Sequence, residues 1–313
     1  KGTKSMPDLV CVGRIICETI YFPAEIKGPL LGSPTAYCSV AAARQGTPTG
    51  IVTRIGSDMP QNLLQRILEA GVDTSGINYN DQTTQTELIY DIQGNKEIRY
   101  PVLSQTITAR DIPESYSGCP MIYISPMDQD VLLEDLDAIL KLGQNSAIDL
   151  GGYGGVHMSL KNREMIKSLE QFARDTAAHF DIVKASDEDA ISIFGWNNPE
   201  DAARRLVDCG PKIVLITLGA KGCLLQTPEK QYLIEPVKGV RAIDTTGGGD
   251  TFMAGFLCEY LRSGDPISAA QMGNATASCV IENSGGVHVG RMPTIDEVQK
   301  RFNQNYHATM NKP

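Results

Sequence analysis

The stretch RAIDTTGGGDTFMAGF (residues 241–256) sets three consecutive glycines and an aspartate directly before a run with helical spacing. Phe252, Met253, Phe256, Leu257, Tyr260 and Leu261 recur at i, i+1, i+4 and i+5, which marks one apolar helix face ending near RSGDP. The helix therefore begins at the glycines. Its first backbone N–H groups have no intrahelical partner and carry the positive end of the helix dipole. Without a Cβ in the way, those groups can meet a bound anion, and in particular the charge that builds on a phosphoryl group during transfer. Asp250 lies in this first turn. The ordinary reading of an acid there is capping or dipole compensation. Beside a phosphate seat, however, a carboxylate repels the ligand, and it makes sense if it accepts a proton from an attacking hydroxyl. That reading is an alcohol phosphotransferase.

Outward from this segment, short β-rich runs alternate with helical patterns. DLVCVGRII, TGIVTRIG, PMIYIS, NSAIDL, DIVKAS and KIVLITLG are apolar and bounded by Gly, Pro or Asp, as buried strands are. PQNLLQRILEAG, DVLLEDLDAILKLG, NREMIKSLEQFARDTAAHF and NPEDAARRLVDCG have helical spacing. The alternation predicts an α/β fold with a largely parallel sheet covered by helices on both faces. QTELIYDIQGNKEIRYPV (85–102) instead alternates with period two around QGN and reads as a β-hairpin, either an edge extension or a lid. TLGAKGCLL (217–225) puts Thr217, Gly219 and Gly222 where a strand's carboxyl end opens into a turn, a usual ligand position that is also a common plain turn. No Walker-type G-x-x-x-x-G-K-[ST] loop occurs.

Bulk properties narrow the class. The 313 residues fit one large α/β domain, and no apolar run approaches the roughly 20 residues that span a bilayer. A net charge of −9 with mixed signs offers no basic stripe to phosphate backbones, so neither nucleic acid nor membrane is an expected partner. The eight cysteines are scattered without a C-x-x-C pair, as expected of core thiols in a reducing, cytoplasmic setting. Residues 1–7 are expected to be a disordered start or a cloning remnant, 8–304 a single domain, and 305–313 a tail.

DTTGGGDTFMAGF resembles the C-terminal signature of ribokinase-like (PfkB-type) carbohydrate kinases, and other pieces match the family in chain order: LVCVGRIICETI, LLGSPTAYCSVAAARQG, IGSDMPQNLLQRILEAGVDT, DIVKASDEDA, TLGAKG and GNATASCVIENSGG. The resemblance implies a ribokinase-like three-layer α/β/α sandwich with a small β lid, formed near 19–28 and 85–102, and transfer of the ATP γ-phosphate to a sugar or related alcohol. It implies Asp250 as base and the N–H groups of Gly247, Gly248 and Gly249 as anion hole. Ser186, Thr217, Gly219, Gly222, Asn274 and Ser278 would face ATP, although Asn274 and Ser278 also read as ordinary helix residues. Mg2+ would be held through water by Asp189 and Glu188, and a monovalent cation, commonly K+, at Asp244 and Thr246. Lids of relatives often pair between subunits, which implies a homodimer.

Departures from the family pattern bear on the substrate. Relatives usually carry an aspartate where this chain has Glu18, one methylene longer, and a Gly-Gly followed by Asn where it has Gly32, Ser33 and Tyr37. Tyrosine there is similar to members acting on inositol or other polyols, but it also reads as core filler. Ser186 and Asp189 replace the family's Asn and Glu, and DLGGYGG (149–155) lacks the arginine that many hexose kinases carry. The expectation is a neutral sugar or cyclic polyol, possession of no phosphate clamp being the reason. A nucleoside kinase is the alternative, and a catalytically silent ligand-binding relative is a second one.

Overall fold

A computed structural model describes residues 5–93, 96–195 and 198–307. Its strands are β1 (Leu9–Val12), β2 (Ile16–Tyr21), β3 (Ile26–Gly32), β4 (Thr49–Arg54), β5 (Asp73–Asn78), β6 (Thr84–Tyr90), β7 (Lys96–Val102), β8 (Cys119–Ile124), β9 (Gly143–Asp149), β10 (Ile182–Ser186), β11 (Ile213–Thr217), β12 (Cys223–Gln226) and β13 (Gln231–Ile234). The helices are α1 (Pro34–Arg44), α2 (Gln61–Glu69), α3 (Leu133–Leu140), α4 (Leu160–Met165), α5 (Leu169–Ala177), α6 (Asp187–Phe194), α7 (Pro199–Val207), α8 (Gly248–Ser263), α9 (Pro266–Ile281) and α10 (Ile295–Phe302). Nine strands form one sheet in the order β13-β12-β11-β10-β9-β8-β1-β4-β5. It is parallel from β5 to β11, and β12 and β13 close it antiparallel.

The strand side chains alternate between two cores. Leu9 and Cys11 of β1 pack with Tyr37 of α1, Leu63 of α2, Phe252 and Phe256 of α8 and Ala269 of α9. Val10 and Val12 face the other way, to Leu136 of α3, Ala173 of α5, Ile193 of α6 and Leu206 of α7. Both faces of the sheet are thus dry, which is why its strands read as continuous apolar runs. All six expected strands are present, and the layers are the expected α/β/α sandwich.

A second, four-stranded sheet has the order β3-β2-β6-β7. The expected hairpin is its β6–β7 pair, and TIYFPAEIKG supplies the end of β2 and the start of β3. The QGN turn falls on Gly94 and Asn95, which lie outside the described residues, as do residues 1–4 of the expected start and 308–313 of the expected tail. Residues 305–307 belong to a π-helical turn, and the Tyr306 hydroxyl donates to the Glu235 carbonyl at 2.7 Å. NREMIKSLEQFARDTAAHF is two helices, not one. Ser168 Oγ accepts from Gln171 N at 3.2 Å and starts α5 afresh after Ile166 has turned to extended backbone. TLGAKGCLL is the turn and second strand of a strand-turn-strand hairpin, β11–β12, whereas the short strands β5 and β13 have weak apolar patterns and were not expected. No described helix is long and apolar enough to cross a membrane.

β1 is the strand where chain order reverses, with β4 on one side and β8 on the other. In open α/β sheets the crevice at the carboxyl ends beside such a point is the ligand position. Asp149 ends β9, Ser186 ends β10 and Thr217 ends β11, all at that edge.

Candidate active site

Helix α8 begins without a side-chain cap. Gly247 is its N-cap residue at φ 79°, ψ 2°, and Gly248 N donates to Thr245 O at 3.0 Å. Thr251 N returns to Gly247 O at 2.9 Å, which leaves the N–H groups of Gly247, Gly249 and Asp250 with no helical acceptor. The glycines are required by approach as much as by conformation. A Cβ on Gly247 would lie 2.4 Å from the Tyr37 ring, and one on Gly249 would lie 3.1 Å from Lys184 Nζ. Two of the three expected anion-hole glycines thus keep a donor for a ligand, while Gly248 spends its own on the loop.

Lys184 is the residue that the sequence reading passed over. It is buried on β10, its Nζ 2.7 Å from Asp149 Oδ2, and the two residues are Cα partners in the strand register. Burial works against its charge, but Asp149, Asp189 and Asp250 together outweigh that and raise its pKa above the ordinary range. The ammonium therefore stays charged under the first turn of α8. A lysine inside the apolar run DIVKAS is the signal that could have found it, because a buried ammonium needs a carboxylate.

Asp250, in that first turn, is pushed up to about 6 by burial. His157 and Lys184 pull it down, and Asp149 and Asp189 push it up. His157, in the loop after β9, was also missed. Its backbone carbonyl accepts from Tyr100 Oη at 2.5 Å, while its Nδ1 is buried with no hydrogen-bond partner. Asp189 behaves in the opposite way. Its Oδ2 accepts Ser186 N and Oγ, both at 2.7 Å, and its Oδ1 accepts Val156 N at 2.9 Å. Burial opposes its charge, yet Lys184, His157 and these backbone donors hold it below the usual carboxylate range. Ser186 and Asp189 together make the capping box of α6, so the hydrogen bonds expected to face ATP and magnesium are directed into the helix start. Glu188 is exposed on the same turn.

The expected acceptor residues come from β2, the end of β3 and the start of α1. Glu18, buried on β2, turns its carboxylate toward Gly32, whose added Cβ would lie 3.5 Å from Glu18 Oε2. Across the register, Thr86 of β6 faces Glu18 and has a buried hydroxyl without a hydrogen-bond partner. Ser33 caps α1 by accepting Ala36 N at 3.1 Å and holds φ 99°, a region that favours glycine. Tyr37 is buried with its ring under Gly247 and its hydroxyl accepting from Arg291 Nη1 at 2.9 Å. Its ring packs against Gly247 of the glycine loop, and the Arg291 guanidinium lies over it, 5.6 Å from the ring centroid. Arg99 is exposed and bonded to Glu97 at 2.7 Å on its own strand.

Thr217 ends β11, and Gly219 and Gly222 bound the turn that leads into β12, closed by Leu218 N to Gly222 O at 2.8 Å. The two α9 residues expected beside adenine are turned to other partners. Asn274 Nδ2 donates to Glu235 O at 3.0 Å, and Ser278 Oγ donates to Ala275 O at 2.7 Å. Their hydrogen-bonding groups serve packing, which the helical spacing alone could not reveal.

The turn at Asp244 and Thr246 differs most from expectation. Their carbonyls point to Arg291, whose Nη2 donates to each at 3.0 Å. A monovalent ion there would have to displace a guanidinium, so the residues present do not fit it. Among the described residues no cluster of three or more His, Cys, Asp or Glu side chains could hold a metal ion.

Taken together, an open α/β crevice, an uncapped glycine helix start and an acid beside a buried lysine define a phosphotransferase. Residues 36–294 match the family model described as pfkB family carbohydrate kinase, and the chain belongs to that family. A cytidine kinase from Thermococcus kodakarensis is 29% identical over 283 residues, covering 90% of this chain and 98% of that one. A fructokinase double mutant from Vibrio cholerae O395, in its fructose-, ADP- and potassium-bound form, matches with a TM-score of 0.78 at 19% identity over 96% of this chain and 100% of that one. A pyrophosphate-dependent kinase of the ribokinase family, complexed with a pyrophosphate analogue and myo-inositol, matches with a TM-score of 0.77 at 15% identity over 93% and 99%. The chain is thus a sugar or nucleoside kinase of the ribokinase family.

Proposed function

We propose that this kinase transfers the γ-phosphoryl group of ATP to a hydroxyl of a small neutral sugar or cyclic polyol. The observation that carries the reading is the pairing of an uncapped α8 start with Asp250, a carboxylate left out of any cap and raised to about 6. Asp250 orients the acceptor hydroxyl and takes its proton late in the transfer, since a carboxylate is a weak base toward an alcohol. The N–H groups of Gly247 and Gly249 meet the charge on the moving phosphoryl group, and Lys184 adds a positive charge beneath them. Magnesium, entering with the nucleotide and held through water near Glu188, would neutralise phosphate charge.

Glu18 and Thr86 line the acceptor side with one carboxylate and one unpartnered hydroxyl, which suits an acceptor rich in hydroxyl groups. The buried cations nearby are already engaged. Lys184 is held by Asp149, Arg14 by Asp130 at 2.7 Å, and Arg291 by carbonyls. An acceptor that already carries a phosphate would find no cationic clamp among them, which favours a neutral one. The four-stranded sheet acts as a lid that excludes water, the competing acceptor. Phe22 and Tyr90 stack at 5.1 Å between β6 and the β2–β3 turn, giving that lid an aromatic element.

A nucleoside acceptor is the second reading, favoured by the likeness to the Thermococcus cytidine kinase. One assay separates the two: ADP release with ATP and magnesium across pentoses, hexoses, inositols and nucleosides. A sugar or inositol should give the highest kcat/KM. A nucleoside in first place moves the assignment to the second reading, and no release above the water background with any acceptor removes the kinase assignment of this site.

A further inference from the structure

The Arg291 guanidinium lies in a cage of oxygen atoms. Nη2 donates to Asp244 O and Thr246 O at 3.0 Å each, Nη1 to Tyr37 Oη at 2.9 Å and Gly286 O at 3.3 Å, and Nε to Val280 O at 3.4 Å. Asp244 Oδ2 lies 3.4 Å from Nη2. The side chain has no exposure at all. Convergent backbone carbonyls with one carboxylate are the donor set of a hard cation site. Here a covalently attached cation meets them, and its planar fork of donors suits several carbonyls at once.

We propose that Arg291 is a built-in replacement for the monovalent cation, so that this kinase needs no potassium. The guanidinium pins the carbonyls of residues 244 and 246, just before α8 begins. The intervening peptides then lead straight into Gly247, with the Tyr37 ring, itself held by Arg291, packed beneath. Arg291 thereby fixes the direction of the anion-hole donors and contributes a permanent positive charge next to them. A free ion would do the same only while bound, and its effect would follow its concentration. Arg291 touches neither acceptor nor phosphate and is a positioning residue. It acts on the transfer site, so its effect on rate rests on the kinase reading above, whereas its effect on ion binding does not.

The test compares wild type with Arg291→Ser and Arg291→Lys in potassium chloride against N-methylglucamine chloride at equal ionic strength. Thermal unfolding and initial rate are both measured. For wild type, neither the unfolding temperature nor the rate should distinguish the two salts. Arg291→Ser should lose about 100-fold in kcat without potassium, the order seen when one transition-state donor is removed. Potassium or guanidinium should restore much of that loss and raise the variant's unfolding temperature, a response that a merely structural arginine would not give. Arg291→Lys, which keeps the charge on a shorter reach, should fall between. A potassium-specific rise in the wild-type unfolding temperature overturns the proposal even if no acceptor is ever found, and even if the serine variant does not fold. A folded Arg291→Ser that is as active as wild type without potassium, or one that neither ion rescues, overturns it as well.

Discussion

Two helices start within reach of the same lysine, and each carries an aspartate at its third position. At α6, Ser186 and Asp189 close a capping box, and Asp189 is held below the usual carboxylate range. At α8 the N-cap is Gly247, there is no cap bond, and Asp250 is raised to about 6. Position in the helix is the same, but the fate of the N–H groups is reversed. A serine spends the helix terminus on its own chain, whereas a glycine leaves it for a ligand and leaves the acid without the donors that would stabilise its charge. Under the proposed function, reactivity follows from which helix start the sequence declines to cap.

The sharpest way to break that contrast is to neutralise each acid in turn. Asp250→Asn should lower kcat by about 100-fold or more, as for loss of a positioned general base, in steady-state assays with the best acceptor. The same change should raise stability at pH 7, by up to about 3 kcal/mol at one pKa unit per 1.4 kcal/mol. The sign follows from linkage. Asp250 binds its proton more tightly folded than unfolded, so between about pH 4 and pH 6 stability falls as pH rises, and asparagine removes that loss. The rate moves the other way. In wild type kcat/KM should decline below about pH 6, because the protonated acid cannot accept a proton. An acid limb that is unchanged in Asp250→Asn would take the base role from this residue.

Lys184 joins the two helix starts, and its removal tests whether they depend on a common charge. Lys184→Met should lower kcat by about 100-fold, as for loss of a transition-state donor. It should also destabilise the fold by about 3–5 kcal/mol, because Asp149 is left buried without its partner. Adding Asp149→Asn to Lys184→Met should return much of the stability, read by urea unfolding, without returning the rate. Rate recovery in the double variant would make the pair structural only.

Asp189→Ala separates cap from catalysis. It should cost about 1–2 kcal/mol in the same unfolding measurement, the range for a lost cap, while kcat falls only a few-fold. A loss as large as that of Asp250→Asn in a folded variant would mean that Asp189 serves the phosphates or their metal as well as α6.

The contrast also explains what could be read from sequence. Alternating apolar runs exposed the sandwich because both faces of the sheet are buried, and the glycines before an apolar helix exposed the α8 start because both signals are local. Lys184 and Asp149 are separated by thirty-five residues and meet only through strand register. Arg291 lies in GGVHVGRMP, a segment with no motif of its own, more than forty residues from the carbonyls it holds. The resemblance places Tyr37 beside the acceptor, and its packing against Gly247 is a contact between distant residues that the sequence does not display. Asn274 and Ser278 show the converse. A polar residue on a helix advertises a hydrogen bond but not its partner, and theirs are the residue just after β13 and their own helix.

The smallest expected effect concerns a third helix start, that of α1, which lies between the two extremes. Ser33 caps the helix as Ser186 does at α6, but it holds φ 99° and ψ 151°, a positive-φ conformation that glycine adopts without strain; Gly247 at α8 also has positive φ, at 79°, but in the left-handed helical region. Such a conformation costs a non-glycine residue about 1–3 kcal/mol. Replacing a serine cap by glycine loses only a few tenths of a kcal/mol, and the added freedom of the unfolded chain removes about 0.5–1 kcal/mol more. Relief of strain is therefore the larger contribution, and Ser33→Gly should raise stability by about 1 kcal/mol in urea unfolding. The acceptor KM should stay near the wild-type value, since Ser33 Oγ already accepts from Ala36 N. A loss of stability would mean that the cap outweighs the strain and that α1 belongs with α6. A gain in stability with a raised KM would mean instead that the strained serine is kept for the acceptor, and that the uncapped and capped helix starts share the work of binding it.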